Sequence, residues 1–185
     1  MSNIVVGDGR AHIQSKLMRE SLQDRAVLSP DRLAHWLADR PAAYCSHPAF
    51  SSRSAYRWRL WVPRELIEAR LGLGGTLGAV RALVTGPRGS SGRVSEVRLL
   101  GTAGEHTLRW DAIRWNLGGL RSNLFTVEPY LGEDGLPEYF LFTGAGWGHG
   151  VGLCQSGAAG MADAGYGSEE ILRQYYGDAP LSRLY

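Results

Sequence analysis

The sequence contains a single lysine, Lys16, so the other basic side chains are arginine, and the 20 basic and 18 acidic residues leave a net charge of only +2. This balance gives no support for a nucleic-acid partner. Long apolar runs are also missing, since no window approaches the roughly 18 residues that a membrane-spanning helix needs. The first residues lack the charged and apolar regions of an export signal, so we expect none in the chain as written.

Cysteine is scarce as well, because Cys45 and Cys154 are the only two and neither belongs to a CxxC pair. A zinc ribbon or a thioredoxin-like motif is therefore not indicated. A disulfide between them and two small buried thiols both remain open. Together with His47 and His149 they supply the atom types of a zinc site, but the spacing does not support one. We expect no cofactor, with zinc as the alternative.

Length and composition indicate one folded domain over residues 1–185, with 44% hydrophobic and 21% charged residues. Strand-like and helix-like segments alternate irregularly, which predicts the α+β class, with mostly antiparallel sheets and interleaved short helices. Residues 1–43 form a predicted helical lead-in. The predicted helices cover residues 13–27, 30–40, 64–71, 112–117, 157–164 and a segment after Ser168, with Ser29, Asp111 and Ser168 as N-caps. The predicted strands cover residues 56–61, 81–85, 93–100, 106–110, 124–128, 138–142 and 181–185.

Five glycines occupy every second position from residue 144 to residue 152. In an extended chain this spacing places all side chains on one face and bare backbone on the other, so it predicts a glycine-rich strand that leads into a small-residue helix. His149 then lies beside Trp147, and polar residues follow at the helix start. The candidate substrate-binding residues are Trp147, His149, Cys154, Gln155 and Ser156. A structural histidine is the alternative for His149, and Trp147 is a candidate for stacking on a sugar ring.

Residues 146–158 read GWGHGVGLCQSGA, and Gly92-Arg93-Val94 lies upstream. With Met161-Ala162 and Tyr175-Tyr176, these residues resemble the stage II sporulation protein D family, which includes the amidase enhancer domains. The resemblance covers about residues 44–185 and is dense from residue 144 onward.

The resemblance implies a peptidoglycan lytic transglycosylase, which cleaves the MurNAc–GlcNAc bond of glycan strands stripped of their peptides. In that chemistry a carboxylic acid protonates the leaving oxygen, and the 6-hydroxyl of the sugar attacks the anomeric carbon to give a 1,6-anhydro product. His149, Gln155 and Cys154 would then position the sugar. Peptidoglycan as partner implies an extracytoplasmic location in the cell envelope.

The sequence departs from the family at the residue that carries its chemistry. The catalytic glutamate of the family follows a proline in an N-terminal segment, and residues 1–41 contain no such context. Glu65 is a substitute, but an acid in the first turn of a helix is common, so the catalytic residue is left unknown. Position 154 is cysteine where many relatives have serine.

Three hypotheses follow for the function. The first is a lytic transglycosylase whose acid comes from a missing N-terminal segment or another chain. The second is a non-catalytic glycan-binding or amidase-enhancing module, which the absent glutamate favours. The third is a metal-stabilised domain that modulates another wall hydrolase.

Overall fold

The computed structural model describes residues 30–39, 42–47, 49–50, 53–89, 91–177 and 180. The predicted helix over residues 13–27, the Ser29 cap and the predicted strand over residues 181–185 lie outside these ranges. The predicted division into one domain stays a prediction.

Helices and strands alternate along the described chain. The helices are α1 (Pro30–Asp39), α2 (Arg53–Tyr56), α3 (Arg64–Leu71), α4 (Gly74–Leu77), α5 (Asp111–Asn116), α6 (Gln155–Asp163) and α7 (Ser168–Tyr176), and a 3-10 turn covers Tyr44–Ser46. The strands are β1 (Arg57–Pro63), β2 (Val80–Thr85), β3 (Glu96–Gly101), β4 (Glu105–Arg109), β5 (Phe125–Leu131) and β6 (Pro137–Ala145). Within the described ranges, no helix has both the length and the apolar character needed to cross a bilayer.

Two three-stranded antiparallel sheets organise the fold, one in the order β1-β6-β5 and the other in the order β2-β3-β4. The predicted α+β class with antiparallel pairing and short helices is thereby confirmed. In the first sheet, Gly144 of β6 lies opposite Trp58 of β1 and Phe125 of β5. A side chain at Gly144 would overlap the Trp58 indole, so glycine is required here because another residue lies against the backbone.

The main hydrophobic core contains side chains from both sheets and from α3, α4 and α5. Its most deeply buried large members include Phe125, Phe140, Phe142, Ile67 and Leu99. A second cluster joins Leu33, Trp36 and Leu37 of α1 to Leu124 and Ala145. A third cluster holds Cys45, Cys154, Met161 and Tyr175.

The small residues of α6 allow close packing against the 3-10 turn and α7, whereas the sequence predicts close packing of this helix onto a sheet. A side chain at Gly160 would overlap the backbone of Tyr44, and one at Gly157 would overlap the hydroxyl of Tyr175. The helix therefore lies directly against the 3-10 turn and α7, which fixes where its N-terminus is located.

Three local predictions are wrong. The glycine-rich segment is a strand only as far as Ala145, because Gly146, Gly148 and Gly150 adopt left-handed φ values of 75°, 90° and 72°. Residues 146–153 therefore form a loop, here called the glycine loop, rather than a strand with one bare face. Asp111 is the first residue of α5 instead of its cap, and Trp110 precedes it with a φ of 53°. Ser168 is likewise the first residue of α7, and Gly167 is its cap.

Candidate functional site

The glycine loop and the start of α6 enclose a cavity of about 470 Å³, here called the first cavity. All five candidate residues predicted from the sequence line it, namely Trp147, His149, Cys154, Gln155 and Ser156. Cys45, Ala55 and Tyr56 complete the lining, together with Leu153 and the loop glycines. The fold therefore gathers these residues around one cavity, and their part in substrate binding stays a prediction.

The first half of the glycine loop is fixed by hydrogen bonds to neighbouring elements. The Trp58 indole N–H donates to the carbonyl of Gly146 at 3.0 Å, and the amide of Gly146 donates to the carbonyl of Tyr56 at 3.2 Å. The amide of Gly148 donates to the carbonyl of Arg121 at 2.7 Å. Between these anchors Trp147 is 59% exposed, and the Arg121 guanidinium lies 5.3 Å from its ring centre. The indole is thus presented at the cavity wall on a fixed backbone.

His149 is exposed and has one ring nitrogen already engaged. Its Nδ1 accepts a hydrogen bond from the amide of Val151 at 3.1 Å. In the neutral imidazole this assigns the proton to Nε2, which remains the atom able to contact a ligand. The imidazole is exposed rather than packed in the interior, while its bond to Val151 lies within the glycine loop, so both the ligand-contact and the structural interpretation stay predictions.

The first turn of α6 supplies polar groups to the same cavity. The buried thiol of Cys154 caps the helix, since its Sγ accepts from the amide of Gly157 at 3.4 Å. Gln155 is exposed and Ser156 is half-buried. The free N–H groups and the positive end of the helix dipole at this terminus favour oxygen acceptors on a ligand.

Cys45 and Cys154 lie in one buried cluster as thiols that are not joined in a disulfide. The hydrogen bond with Cys154, followed by burial, raises the pKa of the Cys45 thiol far above its usual range. Both effects keep this thiol protonated near neutral pH. Burial likewise raises the pKa of Tyr175 in the same cluster.

The remaining members of the zinc alternative do not join the two thiols. Across the ranges that the structure describes, no three His, Cys, Asp or Glu side chains gather as a metal-binding group. His47 is exposed, and its Nδ1 accepts from the amide of Ala49 at 3.3 Å. The arrangement therefore offers two sulfur ligands without a described third.

Glu65 does not contribute to the first cavity. Its carboxylate is exposed in the first turn of α3 and lies 3.7 Å from the guanidinium of Arg64. None of the described residues that line the first cavity is an aspartate or a glutamate. These residues therefore offer no carboxylic acid that could act as the general acid.

A second cavity of about 520 Å³ adjoins the first, and both are lined by His149 and Gly150. Its other wall includes Ser91, Arg93, Ser95, Trp110, Asp111 and Asn123. Arg93 is only 8% exposed, and burial lowers its pKa to about 10, partly offset by the nearby Cys154. The side chain therefore remains cationic at neutral pH. The sequence pattern predicts Arg93 as the first residue of a strand and gives it no site role, whereas β3 begins at Glu96.

Comparison with known proteins places the chain in a family. Residues 45–152 match the family described as Domain of unknown function (DUF8618), and the match spans more than half of the chain. The chain therefore belongs to the DUF8618 family. No curated protein matches it significantly.

Proposed function

We propose that this member of the DUF8618 family binds peptidoglycan glycan strands through the first cavity, at the outer side of the cytoplasmic membrane in the cell envelope. One observation carries the proposal: the five residues selected from the sequence line a single cavity around the glycine loop. The resemblance of residues 146–158 to the stage II sporulation protein D family supplies the substrate class.

The chemistry of the cavity suits a sugar. Sugar rings combine an apolar face of C–H groups with equatorial hydroxyls, and exposed indoles such as Trp147 offer a flat apolar surface for that face. Gln155, Ser156 and Nε2 of His149 offer hydrogen-bonding groups for hydroxyl and acetamido substituents. A volume of about 470 Å³ is in the usual range for small-ligand sites.

Binding is better supported than cleavage, because the described lining of the first cavity contains no carboxylate. A lytic transglycosylase is the second candidate, favoured by Asp111, whose carboxylate lines the adjoining cavity. The guanidinium of Arg114 lies 3.3 Å from this carboxylate and stabilises its charge, so the ion pair must break before Asp111 can donate a proton. In this second candidate, Asp111 or an acid outside the described residues protonates the leaving oxygen. An amidase-enhancing role would use the same binding surface with another wall hydrolase as partner.

The test uses glycan strands freed of peptides and two matched tryptophan variants. Trp147 and Trp115 are both exposed and both lie beside an arginine, at 5.3 Å from Arg121 and 5.4 Å from Arg114 respectively. We expect Trp147→Ala to weaken strand binding at least about tenfold, which is the range for loss of one aromatic contact. Trp115→Ala should bind as the wild type does. Calorimetric titration measures both.

Equal affinities for the two variants, or no binding by the wild type, would contradict the proposal. The same mixtures are analysed by mass spectrometry for 1,6-anhydro products. Products that disappear in Asp111→Asn would establish the second candidate, whereas binding without products supports a glycan-binding module.

A further inference from the structure

Arg93 is a buried cation that the described protein leaves unpaired. Its Nε, Nη1 and Nη2 are all buried, and none of them donates a hydrogen bond to a described residue. Buried charges in proteins are normally paired and hydrogen-bonded, since their transfer out of water is costly. The neighbouring Arg88 follows this rule, because it donates to the carbonyls of Gly92 and Phe125 at 2.8 Å each. The guanidinium of Arg93 thus places hydrogen-bond donors that have no described acceptor in the wall of the second cavity.

An unused acceptor lies in the same wall. The Oδ1 atom of Asn123 is buried and receives no hydrogen bond from the described residues, while its Nδ2 donates to the carbonyl of Trp110 at 3.1 Å. Ser91 and Ser95 add hydroxyl groups to the lining. Among the described residues of this lining, only Asp111 carries a carboxylate, and it is paired with Arg114. A ligand that offers an anionic acceptor and a nearby donor would satisfy both unused groups.

The glycine loop covers the guanidinium. A side chain at Gly150 would overlap Cζ, Nε and Nη2 of Arg93, so the backbone at residue 150 lies directly against the charged group. Within the described part of the chain, residues 149–153 make a single hydrogen bond, between Val151 and His149 of the loop itself. A ligand therefore reaches Arg93 by displacing a segment that few polar contacts hold in place.

We propose that Arg93 is the carboxylate-binding residue of the second cavity. The planar guanidinium donates to both oxygens of a ligand carboxylate, and Asn123 Oδ1 accepts from a hydroxyl or amide of the same ligand. A carboxylate fits better than a phosphate because Arg93 is the only arginine or lysine among the described lining residues. A small hydroxy acid and a sugar acid share this chemistry.

The source of the carboxylate follows from the proposed function, on which this part of the inference rests. Muramic acid carries a lactyl carboxylate that is bound to the peptide in intact peptidoglycan and is free in a stripped glycan strand. Arg93 would then distinguish MurNAc from GlcNAc, and stripped strands from strands that still carry peptides. The two cavities share His149 and Gly150, so one saccharide contacts both.

The experiment measures binding of N-acetylmuramic acid, N-acetylglucosamine and (R)-lactate to the whole chain by titration calorimetry. We expect N-acetylmuramic acid to bind at least about tenfold more tightly than N-acetylglucosamine, the factor expected for one charge-assisted pair. Arg93→Met should bind both sugars equally and no longer bind lactate. Arg98→Met is the control, because Arg98 is exposed on β3 beside Glu105; it should retain the distinction.

Thermal unfolding provides a second measurement that does not depend on a sugar. Methionine keeps the length of the side chain and removes a buried unpaired charge, so we expect Arg93→Met to raise the Tm by about 2–4 °C. A purely structural Arg93 predicts the opposite, namely a lower Tm together with unchanged ligand binding. That result would overturn the proposal.

The outcomes separate this inference from the proposed function. If both sugars bind equally to the wild type and to Arg93→Met, the inference fails while glycan binding stands. If only lactate binds, and only when Arg93 is present, the carboxylate site stands and glycan binding fails. If no carboxylate binds to the wild type, the inference fails.

Discussion

Two regions of the molecule each bury one guanidinium, but the described residues supply hydrogen-bond acceptors for only one of the two. Arg57, at the start of β1, is 5% exposed and donates to the carbonyls of Trp36 and Leu37 in α1 and of Tyr56. Its guanidinium also stacks on the Trp36 and Tyr56 rings, at 3.9 Å and 4.2 Å from their centres. Arg93 is almost as buried and makes none of these contacts with described residues. The Arg57 region is therefore completed by the chain itself, whereas the Arg93 region offers its donors to a ligand.

We expect the largest loss of stability from a substitution at Arg57. Arg57→Met removes donors from three carbonyls and the contact with two aromatic rings, so we expect a loss of about 3 kcal/mol in the free energy of unfolding. Denaturant unfolding measures it. Arg59→Met is the control, because Arg59 is exposed on the same strand; it should change the value by less than about 0.5 kcal/mol. If both variants changed the free energy of unfolding by the same small amount, the contacts of Arg57 would not stabilise the fold, and the contrast with Arg93 would be wrong.

A smaller effect is expected where the glycine loop covers Arg93. Gly148 and Gly150 have left-handed φ values of 90° and 72°, but only a side chain at Gly150 would meet the guanidinium. Gly148→Ala should therefore cost about 1 kcal/mol for the backbone alone, and Gly150→Ala about 2 kcal/mol because overlap is added.

Double-mutant unfolding experiments test the origin of that difference. In an Arg93→Ala background the overlap is gone, so Gly150→Ala should cost only as much as Gly148→Ala. An undiminished cost at Gly150 in this background would show that the loop does not press on Arg93.

The smallest effect concerns a third buried polar group, the thiol of Cys154, which the chain satisfies locally. Cys154→Ala removes the acceptor of the Gly157 amide, whereas Cys45→Ala removes the neighbouring thiol and leaves that acceptor in place. We expect Cys154→Ala to be less stable than Cys45→Ala by about 1 kcal/mol, the usual cost of losing a helix cap. Equal unfolding free energies would mean that Sγ does not stabilise α6.

Local signals in the sequence were sufficient for several elements. The predicted helix over residues 64–71 is observed with the same bounds, because Pro63 precedes it and Gly72 ends it with a φ of 63°. The alternation around Trp58 likewise indicates β1, although the strand begins at Arg57 and continues to Pro63. These boundaries depend on the conformations that single residues allow, so they can be read locally.

The glycine spacing was sufficient to locate the first cavity but not to give its conformation. Alternation predicts a strand, yet glycine adopts left-handed φ values as readily as extended ones. The glycine pattern alone therefore does not distinguish a strand from a loop. Arg93 could not be identified at all. Its importance depends on being covered by Gly150 and on lacking acceptors, and both are properties of packing between distant segments.

The attachment of the glycine loop has a consequence for the sheet. Trp58 holds the point where β6 ends, through its contact with Gly144 and its bond to the carbonyl of Gly146. Residues 147–153 therefore connect two fixed points, the end of β6 and the N-cap of α6. The pairing of β6 with β1 and β5 therefore ends before the glycine loop begins, so a change of loop conformation between these two points need not disturb the sheet.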